Sequence, residues 1–171
     1  MKSRQKNKSL ILLVGIGAAI FFLFLAWIII QLFLDVPSEQ QAEQTIRSEF
    51  SEILGVTPER GNIVAQAIAD NLDVSVEKIE RGPLDQKTYY VTCMVANRDI
   101  QSVYTQVDES QQMTLNEFMQ WFVQKLSEQP QLQYQETFVL YKEDSEYQVQ
   151  MSEEQLDHCS GGLLRYIRGE T

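Results

Sequence analysis

The longest apolar segment of this 171-residue chain runs from Leu10 to Ile30 without a charged residue. Fifteen of its 21 residues are Leu, Ile, Val or Phe. At about 1.5 Å per residue, a helix of this length spans roughly 31 Å, which matches the hydrocarbon core of a bilayer. The pattern therefore predicts a membrane-spanning helix that, with its flanks, covers residues 9–34.

Helical periodicity resumes after this segment. Ser38 and Gln41 form a capping-box pattern ahead of an apolar stripe at helical spacing, and Gly55 fits the end of that helix. Thr57-Pro58 opens a second predicted helix, because a capping residue followed by proline is typical of a first helical turn. The two helices, joined by about two residues, predict a helical hairpin.

The period then changes to two. Apolar and polar residues alternate from Asp73 to Ala96, with a turn at Arg81-Gly82-Pro83, which predicts a β-hairpin. Asp99 then precedes apolar residues spaced as in a helix from Ile100 to Val107. This stretch predicts a short capped helix, although its β-branched and aromatic residues also fit a strand.

A longer amphipathic helix and a second hairpin follow. Thr114 and Glu117 form another capping box, and the helix they open ends before Pro130. Gln133–Tyr141 reads as a strand and Lys142–Ser145 as a turn. The inward face of the returning strand is predicted to consist of Tyr147, Val149 and Met151.

Ser152 and Gln155 cap a last predicted helix that continues to Ile167. Gly161-Gly162 lies inside it, and each glycine costs a helix about 1 kcal/mol relative to alanine. The pair therefore indicates a kink, an early end or close packing on another element. The order of elements predicts an α+β fold, with an N-terminal transmembrane helix followed by a helical hairpin and an antiparallel sheet packed with helices.

Charge predicts the orientation of this chain in a membrane. The first eight residues carry four basic side chains and no acid, whereas all 24 acidic residues lie from Asp35 onward beside ten basic ones. Since basic flanks stay on the cytoplasmic side, we predict a cytoplasmic basic tail (1–8), a signal-anchor helix in the lipid bilayer (9–34) and an acidic extracytoplasmic domain (35–171). The apolar run is too long for a cleaved signal peptide and ends without small residues.

His158 is the only histidine and stands next to Cys159. A Cys–His nucleophile pair needs side chains that face each other, but neighbours on a helix point about 100° apart. Cys159 also falls on the apolar stripe, which favours a buried thiol beside a surface histidine. A single histidine and two separated cysteines disfavour a zinc site. We therefore expect no catalytic, cofactor-binding or metal-binding residues, no cofactor, and no enzymatic activity.

Cys93 and Cys159 both fall on predicted inward faces. An extracytoplasmic compartment permits a disulfide, and closing this 66-residue separation would stabilise the fold by roughly 4 kcal/mol in the chain-entropy model. The alternative is two separate buried thiols, because buried cysteine behaves as a small hydrophobic residue. The sequence leaves both alternatives open.

Acidic and aromatic residues supply the remaining candidates. The pairs Glu143-Asp144 and Glu153-Glu154 lie at a predicted turn and a helix N-terminus, where acids are favoured by solvation and the helix dipole, and they lack the spacing of a calcium loop. The aromatic residues of the sheet and helices could line a ligand pocket or fill the core. They are Tyr89, Tyr90, Tyr134, Tyr141, Tyr147, Trp121 and Phe138.

The segment Tyr90–Ile100 is a strand that runs into Asn97-Arg98-Asp99 and a helix. With the hairpin Phe138–Met151 and the final capped helix, it resembles small extracytoplasmic lipoproteins of Gram-positive bacteria, whose domain of unknown function is similar to cystatin-like and nuclear-transport-factor-2-like folds. The resemblance covers Glu39–Ile167. It implies a cystatin-like fold at the bacterial cell surface and carries over no catalytic residue. This chain differs by having a predicted transmembrane anchor where the family has a lipidated cysteine.

These patterns predict a single-pass cell-membrane protein that serves as an extracytoplasmic interaction or accessory module. We expect a protein partner at the membrane surface and no nucleic acid, because the outer part is strongly acidic. Two other hypotheses stay open. One is an assembly subunit of a conjugation or secretion machine, and the other is a small-ligand-binding or hydrolase-like pocket protein.

Overall fold

The computed structural model describes residues 20–29, 36–56, 62–83, 87–107 and 113–169. The chain divides into two compact units, Met1–Val36 and Pro37–Thr171. In the first unit residues 20–29 are helical, and most of their side chains are exposed. The basic tail 1–8 and the rest of the predicted span 9–34 lie outside the described residues. Within the described ranges, no helix has both the length and the apolar content needed to cross a membrane.

The second unit is α+β, and its helices and four-stranded antiparallel sheet confirm the α+β part of the predicted fold. Its described elements follow one another in nearly the predicted order. They are α1 (Glu39–Ile53), α2 (Ile63–Asp70), β1 (Asp73–Arg81), β2 (Thr88–Arg98), α3 (Ile100–Tyr104), α4 (Leu115–Glu128), β3 (Gln131–Glu143), β4 (Glu146–Val149), α5 (Glu153–Cys159) and α6 (Leu163–Arg168).

The sheet is a simple meander with strand order β1-β2-β3-β4. Glu77 is an extra residue in β1, because Val76 pairs with Cys93 while Lys78 pairs with Thr92. Such a bulge shifts the alternation of inward and outward side chains along a strand. β3 and β4 are joined by Asp144-Ser145, whose φ values of 44° and 78° are typical of a two-residue hairpin turn. The turn is thus shorter than predicted, and β3 correspondingly longer.

All three predicted capping boxes are formed. In each, the cap hydroxyl accepts from the backbone of the third helical residue, and that residue's side chain accepts from the cap backbone. The pairs are Ser38–Gln41, Thr114–Glu117 and Ser152–Gln155. Asp99 likewise caps α3, since its carboxylate accepts from the backbone of Ser102 at 3.0 Å. These helix starts follow from residues within one turn of each other.

The start of α2 differs from the prediction. α2 begins at Ile63, and the side chain of Asn62 accepts a hydrogen bond from Val64 N at 3.0 Å. Thr57-Pro58, where the sequence predicted the opening, lies outside the described residues. Asparagine is as strong a cap as serine or aspartate, so the cap adjacent to the apolar stripe defines the helix. The connection between α1 and α2 is therefore longer than two residues.

Helices cover one face of the sheet and leave the other exposed. Phe50, Tyr89, Phe122 and Phe138 are fully buried in the single core, which lies between the helices and the inner face of the sheet. Tyr90, Val139 and Tyr141 lie on the outer face and remain 38–40% exposed. Tyr89 and Phe138 thus fill the core rather than line a pocket.

Gly161 and Gly162 separate α5 from α6. Their φ values of 66° and 87° lie in the left-handed region, which ends α5 after Cys159. Gly161 also packs against the end of β2, because its carbonyl accepts from Ile100 N at 3.0 Å and a Cβ would lie 1.8 Å from Arg98 O. Of the three outcomes that the sequence allowed, the structure shows an early end and close packing.

Candidate functional site

His158 is buried at 9% exposure, so the predicted surface position is wrong. Its ring stacks on Tyr134 of β3, with centroids 3.8 Å apart and an interplanar angle of 5°. Nδ1 contacts Glu136 Oε1, and Nε2 lies 2.8 Å from Arg165 Nη2. Tyr134 and Glu136 are on the inner face of β3, more than twenty positions earlier in the chain. Helical spacing around His158 therefore could not reveal that the ring turns inward.

The contacts of His158 define its tautomer. Arginine can only donate, so Nε2 must accept from Arg165. The ring proton then lies on Nδ1 and is donated to the carboxylate of Glu136. This arrangement orients the imidazole as a carboxylate orients a catalytic histidine, but here the guanidinium occupies the nitrogen that would act as the base.

Asp157 extends this network and ties α6 to α5. It is buried at 4% exposure, and its Oδ1 accepts from Arg165 N at 2.9 Å. Oδ2 lies 2.7 Å from Arg165 Nε, but it has no donor in hydrogen-bond alignment within the described residues. The contact is therefore an ion pair without a well-directed hydrogen bond. The Arg165 side chain is 45% exposed, so the network reaches solvent on this side.

Replacing His158 with alanine should lower the free energy of unfolding by about 2–3 kcal/mol, because it removes the stacked ring and leaves Glu136 without its donor. Urea unfolding followed by circular dichroism measures the change. Glu136→Gln is the matched variant, since the amide oxygen still accepts from Nδ1 and the loss should be smaller. Wild-type stability of His158→Ala would contradict a stabilising role for the network.

Cys93 and Cys159 are both fully buried free thiols in this structure. Burial raises the pKa of Cys93 to about 12, with further contributions from the charges of Glu43 and Glu77. Burial also raises the pKa of Cys159 to about 12, with smaller contributions from Glu136 and Cys93. Protonated thiols are poor nucleophiles. The inward positions are confirmed, and the disulfide stays a prediction.

Both thiols should be nearly inert in the folded protein. A rise in pKa from 9.0 to about 12 lowers the thiolate fraction at pH 8 by roughly a thousandfold. Reaction with a chromogenic disulfide reagent should be slow when the protein is folded and release two equivalents after unfolding in urea. Rapid reaction of the folded protein would contradict the burial, and no reaction after unfolding would indicate the disulfide.

The same shifts define a pH dependence of stability. Because the folded pKa of each thiol lies above its ordinary value of 9.0, the unfolded chain loses these protons first as the pH rises. The contribution of the two protonated thiols to the free energy of unfolding is fully present below about pH 9 and is lost progressively toward pH 12.

Asn97 is a buried tether that the sequence interpretation did not single out. Its amide nitrogen donates to Ile68 O at 2.9 Å and to Cys159 O at 2.6 Å, and its Oδ1 accepts from Arg98 N at 2.7 Å. One side chain thus joins β2 to α2 and α5. The available signal was a polar residue at an inward position of an otherwise apolar strand face.

A polar groove lies between α1 and β4. It has a volume of about 940 Å³, and α1 forms one wall while β4 and the adjoining turn form the other. Three carboxylates line it, together with uncharged polar and aromatic side chains. The lining residues are Gln41, Gln44, Thr45, Ser48, Glu49, Glu52, Tyr141, Ser145, Glu146, Tyr147, Gln148, Val149 and Gln150.

Three of the four acids in the predicted acidic pairs occupy the structural positions that the sequence predicted, whereas Glu143 belongs to β3 and not to the turn. Glu143 ends β3 and Asp144 begins the turn, while Glu153 and Glu154 lie in the first turn of α5. Glu153 also pairs with Arg168 at 2.5 Å. Within the described ranges, no three histidine, cysteine or acidic side chains are grouped so that they could hold a metal ion.

No family model, curated protein or solved structure matches this chain. The resemblance to Gram-positive extracytoplasmic lipoproteins therefore stays a prediction. Two features of the domain remain as candidates for function: the network around His158 and the groove between α1 and β4.

Proposed function

We propose that this chain is a single-pass membrane protein whose extracytoplasmic domain binds a protein partner, as an interaction or accessory module and not as an enzyme. The observation that carries the proposal is the distribution of its polar groups. The side chains that could perform chemistry are engaged inside the domain, whereas the groove between α1 and β4 is open and lined by polar groups.

The reactive side chains are hydrogen-bonded or buried inside the domain, which supports binding over catalysis. Both ring nitrogens of His158 have protein partners, so its use as a base would require Arg165 to leave Nε2. Cys93 and Cys159 are fully buried, and their raised pKa keeps them protonated. Recruiting His158 would disrupt contacts that join α5 to β3 and to α6.

Two exposed surfaces support a partner-binding role. The first is the groove, whose glutamate, glutamine and hydroxyl side chains offer many hydrogen-bonding groups. The second is the outer face of the sheet, where Tyr90, Val139 and Tyr141 present partly apolar side chains. Tyrosine is enriched at protein interfaces because it combines a large apolar ring with a polar tip.

The membrane anchorage in this proposal rests on the sequence of residues 1–34, with an acid-free basic tail before a long apolar run. The cystatin-like assignment is part of the same proposal. It is supported by the packing of α1 against both β1 and β4, the two edge strands of an antiparallel meander.

Protease protection tests the orientation. In bacterial cells whose wall has been removed, added protease should destroy an epitope at the C-terminus and spare one at the N-terminus, because only the outer domain is accessible. Protease in detergent-lysed cells controls for intrinsic resistance of the N-terminal epitope. A C-terminal epitope that survives in intact cells, or a chain that fractionates without the membrane, would overturn the proposed location.

Site-specific photo-cross-linking tests the binding role in the same cells. A photoreactive residue in place of Tyr141, at the groove and outer face, should give a discrete adduct with another protein. The same residue in place of Leu115, which is exposed at the start of α4, provides the matched control. If scanning all exposed positions of the domain yields no protein adduct, the interaction role is overturned.

A further inference from the structure

We infer that the groove between α1 and β4 accepts an extended, basic polypeptide segment, which adds to the sheet beside β4 as a fifth strand. This inference rests on the proposed function and names the class of partner. Three observations support it. Side chains of α1 bind backbone groups at the β1 edge, whereas the β4 edge faces the groove. Backbone groups of β4 point toward the groove, and the groove is acidic.

Side chains of α1 bind two backbone groups at and beside the β1 edge of the sheet. Glu43 Oε1 accepts from Val76 N at 3.5 Å, and Arg47 donates to Leu72 O. Arg47 also pairs with Asp73 at 2.9 Å. These contacts satisfy backbone groups that a sheet edge would otherwise present to solvent or to another chain.

The edge at β4 faces the groove instead. In the described residues β4 pairs with β3 alone, and it stands last in the strand order. Glu143 and Glu146 flank the two-residue turn, so they form the hydrogen-bonded pair that closes the hairpin. Pairs alternate along an antiparallel ladder, which directs the backbone N–H and C=O of Val149 away from β3 and toward the groove that it lines.

The charge of the groove selects the occupant. Glu49 and Glu52 lie one helical turn apart on α1, and Glu146 begins β4 on the opposite wall. The described lining residues include no lysine or arginine. A second copy of this chain would bring the same carboxylates together, and like charges facing each other disfavour association. An extended segment with basic side chains complements them.

The occupant would be held by two kinds of contact. Its backbone would pair with the outward groups of β4, as in other domains that bind peptides by strand addition. Alternate side chains of an added strand point to the same face, so basic residues at every second position can reach the glutamates of α1. Gln41, Gln44 and Thr45 supply further hydrogen-bonding groups on the helix wall.

The test uses the full chain in uncharged detergent micelles and a fluorescent peptide of alternating lysine and valine, with anisotropy as the readout. The peptide should bind saturably. A copy that is N-methylated on alternate amides has the same charge but cannot donate to the edge strand, and it should bind at least about tenfold more weakly. A peptide of alternating glutamate and valine should bind at least about tenfold more weakly than the lysine peptide.

Two sets of variants locate the binding. Glu49→Gln, Glu52→Gln and Glu146→Gln together should weaken lysine-peptide binding by about tenfold. The matched control is Asp70→Asn, Glu80→Gln and Glu154→Gln, three exposed acids outside the groove lining, which changes the net charge equally. We expect less than about a twofold effect of the control set. Circular dichroism checks that both proteins are folded.

Three results would overturn the inference: no saturable binding, equal binding of the methylated peptide, or equal losses in the two sets of variants. Its failure is distinguishable from failure of the proposed function. If the outer domain gives protein adducts and has the proposed membrane orientation, the binding role is retained and is assigned to another surface of the domain. A cytoplasmic domain would overturn the proposed function whether or not the peptide binds.

Discussion

Replacing Gly161 with alanine should destabilise the α+β domain by about 3–5 kcal/mol, which is enough to unfold many domains of this size. The new Cβ would lie 1.8 Å from Arg98 O, and the backbone there cannot move freely because Ile100 N donates to Gly161 O. The left-handed φ of 66° adds strain for any residue with a side chain. Thermal unfolding followed by circular dichroism measures the loss.

Gly55→Ala is the matched control for this prediction. Gly55 has nearly the same φ, 67°, but no atom of the described residues lies within 4 Å of the position of its Cβ. Its replacement should cost only the conformational strain of about 1–2 kcal/mol. The difference between the two variants therefore isolates the close approach of the α5–α6 junction to β2. Similar losses in both variants would show that this approach does not limit stability.

Replacing Asn97 with aspartate should destabilise the domain by about 3–5 kcal/mol, although the two side chains have nearly the same shape. The amide nitrogen that donates to Ile68 O and Cys159 O would become an oxygen facing two carbonyl oxygens. A buried carboxylate without a donor on this side would be strongly disfavoured. Urea unfolding at neutral pH measures the difference from wild type.

Asn71→Asp provides the control at a less buried amide. Asn71 Nδ2 donates to Ala67 O at the end of its own helix, while its Oδ1 lies 3.4 Å from Arg98 Nε. The loss of one donor is partly offset by attraction to the guanidinium, so the cost should be about 1 kcal/mol or less. If Asn97→Asp costs no more than Asn71→Asp, Asn97 does not act as a tether between the elements.

The pH dependence of Asn97→Asp gives a second readout. Burial beside carbonyl oxygens raises the pKa of an aspartate above its unfolded value, because only the protonated form can donate. The variant should therefore recover stability relative to wild type as the pH falls toward about 4, the unfolded pKa, and lose it progressively as the pH rises above that value. A penalty independent of pH would point to a packing defect instead.

Local sequence patterns were sufficient wherever the determining residues lie within one helical turn or one strand. The capping boxes at Ser38, Thr114 and Ser152 define helix starts because cap and partner are three residues apart. Alternation of apolar and polar residues predicted the first hairpin, because side chains of a half-buried strand repeat every two residues, although the bulge at Glu77 interrupts the alternation in β1. The burial of Cys93 and Cys159 followed from the same periodicities.

Patterns failed where two local signals competed. The sequence predicted that Thr57-Pro58 opens the second helix, whereas α2 begins after Asn62, which is also a strong cap residue. Gly161-Gly162 allowed a kink, an early helix end or close packing on another element. The structure shows an early end, with Gly161 packed against the backbone of Arg98. For the glycine pair, the deciding contact lies outside the segment itself, at the end of β2.

Sequence alone therefore determined the α+β class, the capped starts of four helices and the apolar faces, because these depend on periodicity and on contacts between near neighbours. Tertiary structure alone decided that His158 turns inward to Tyr134 and Glu136, and that Asn97 joins three elements. It also decided that side chains of α1 bind backbone groups at the β1 edge, whereas a groove lies between α1 and β4. These features depend on side chains brought together from distant parts of the chain, for which local spacing holds no signal.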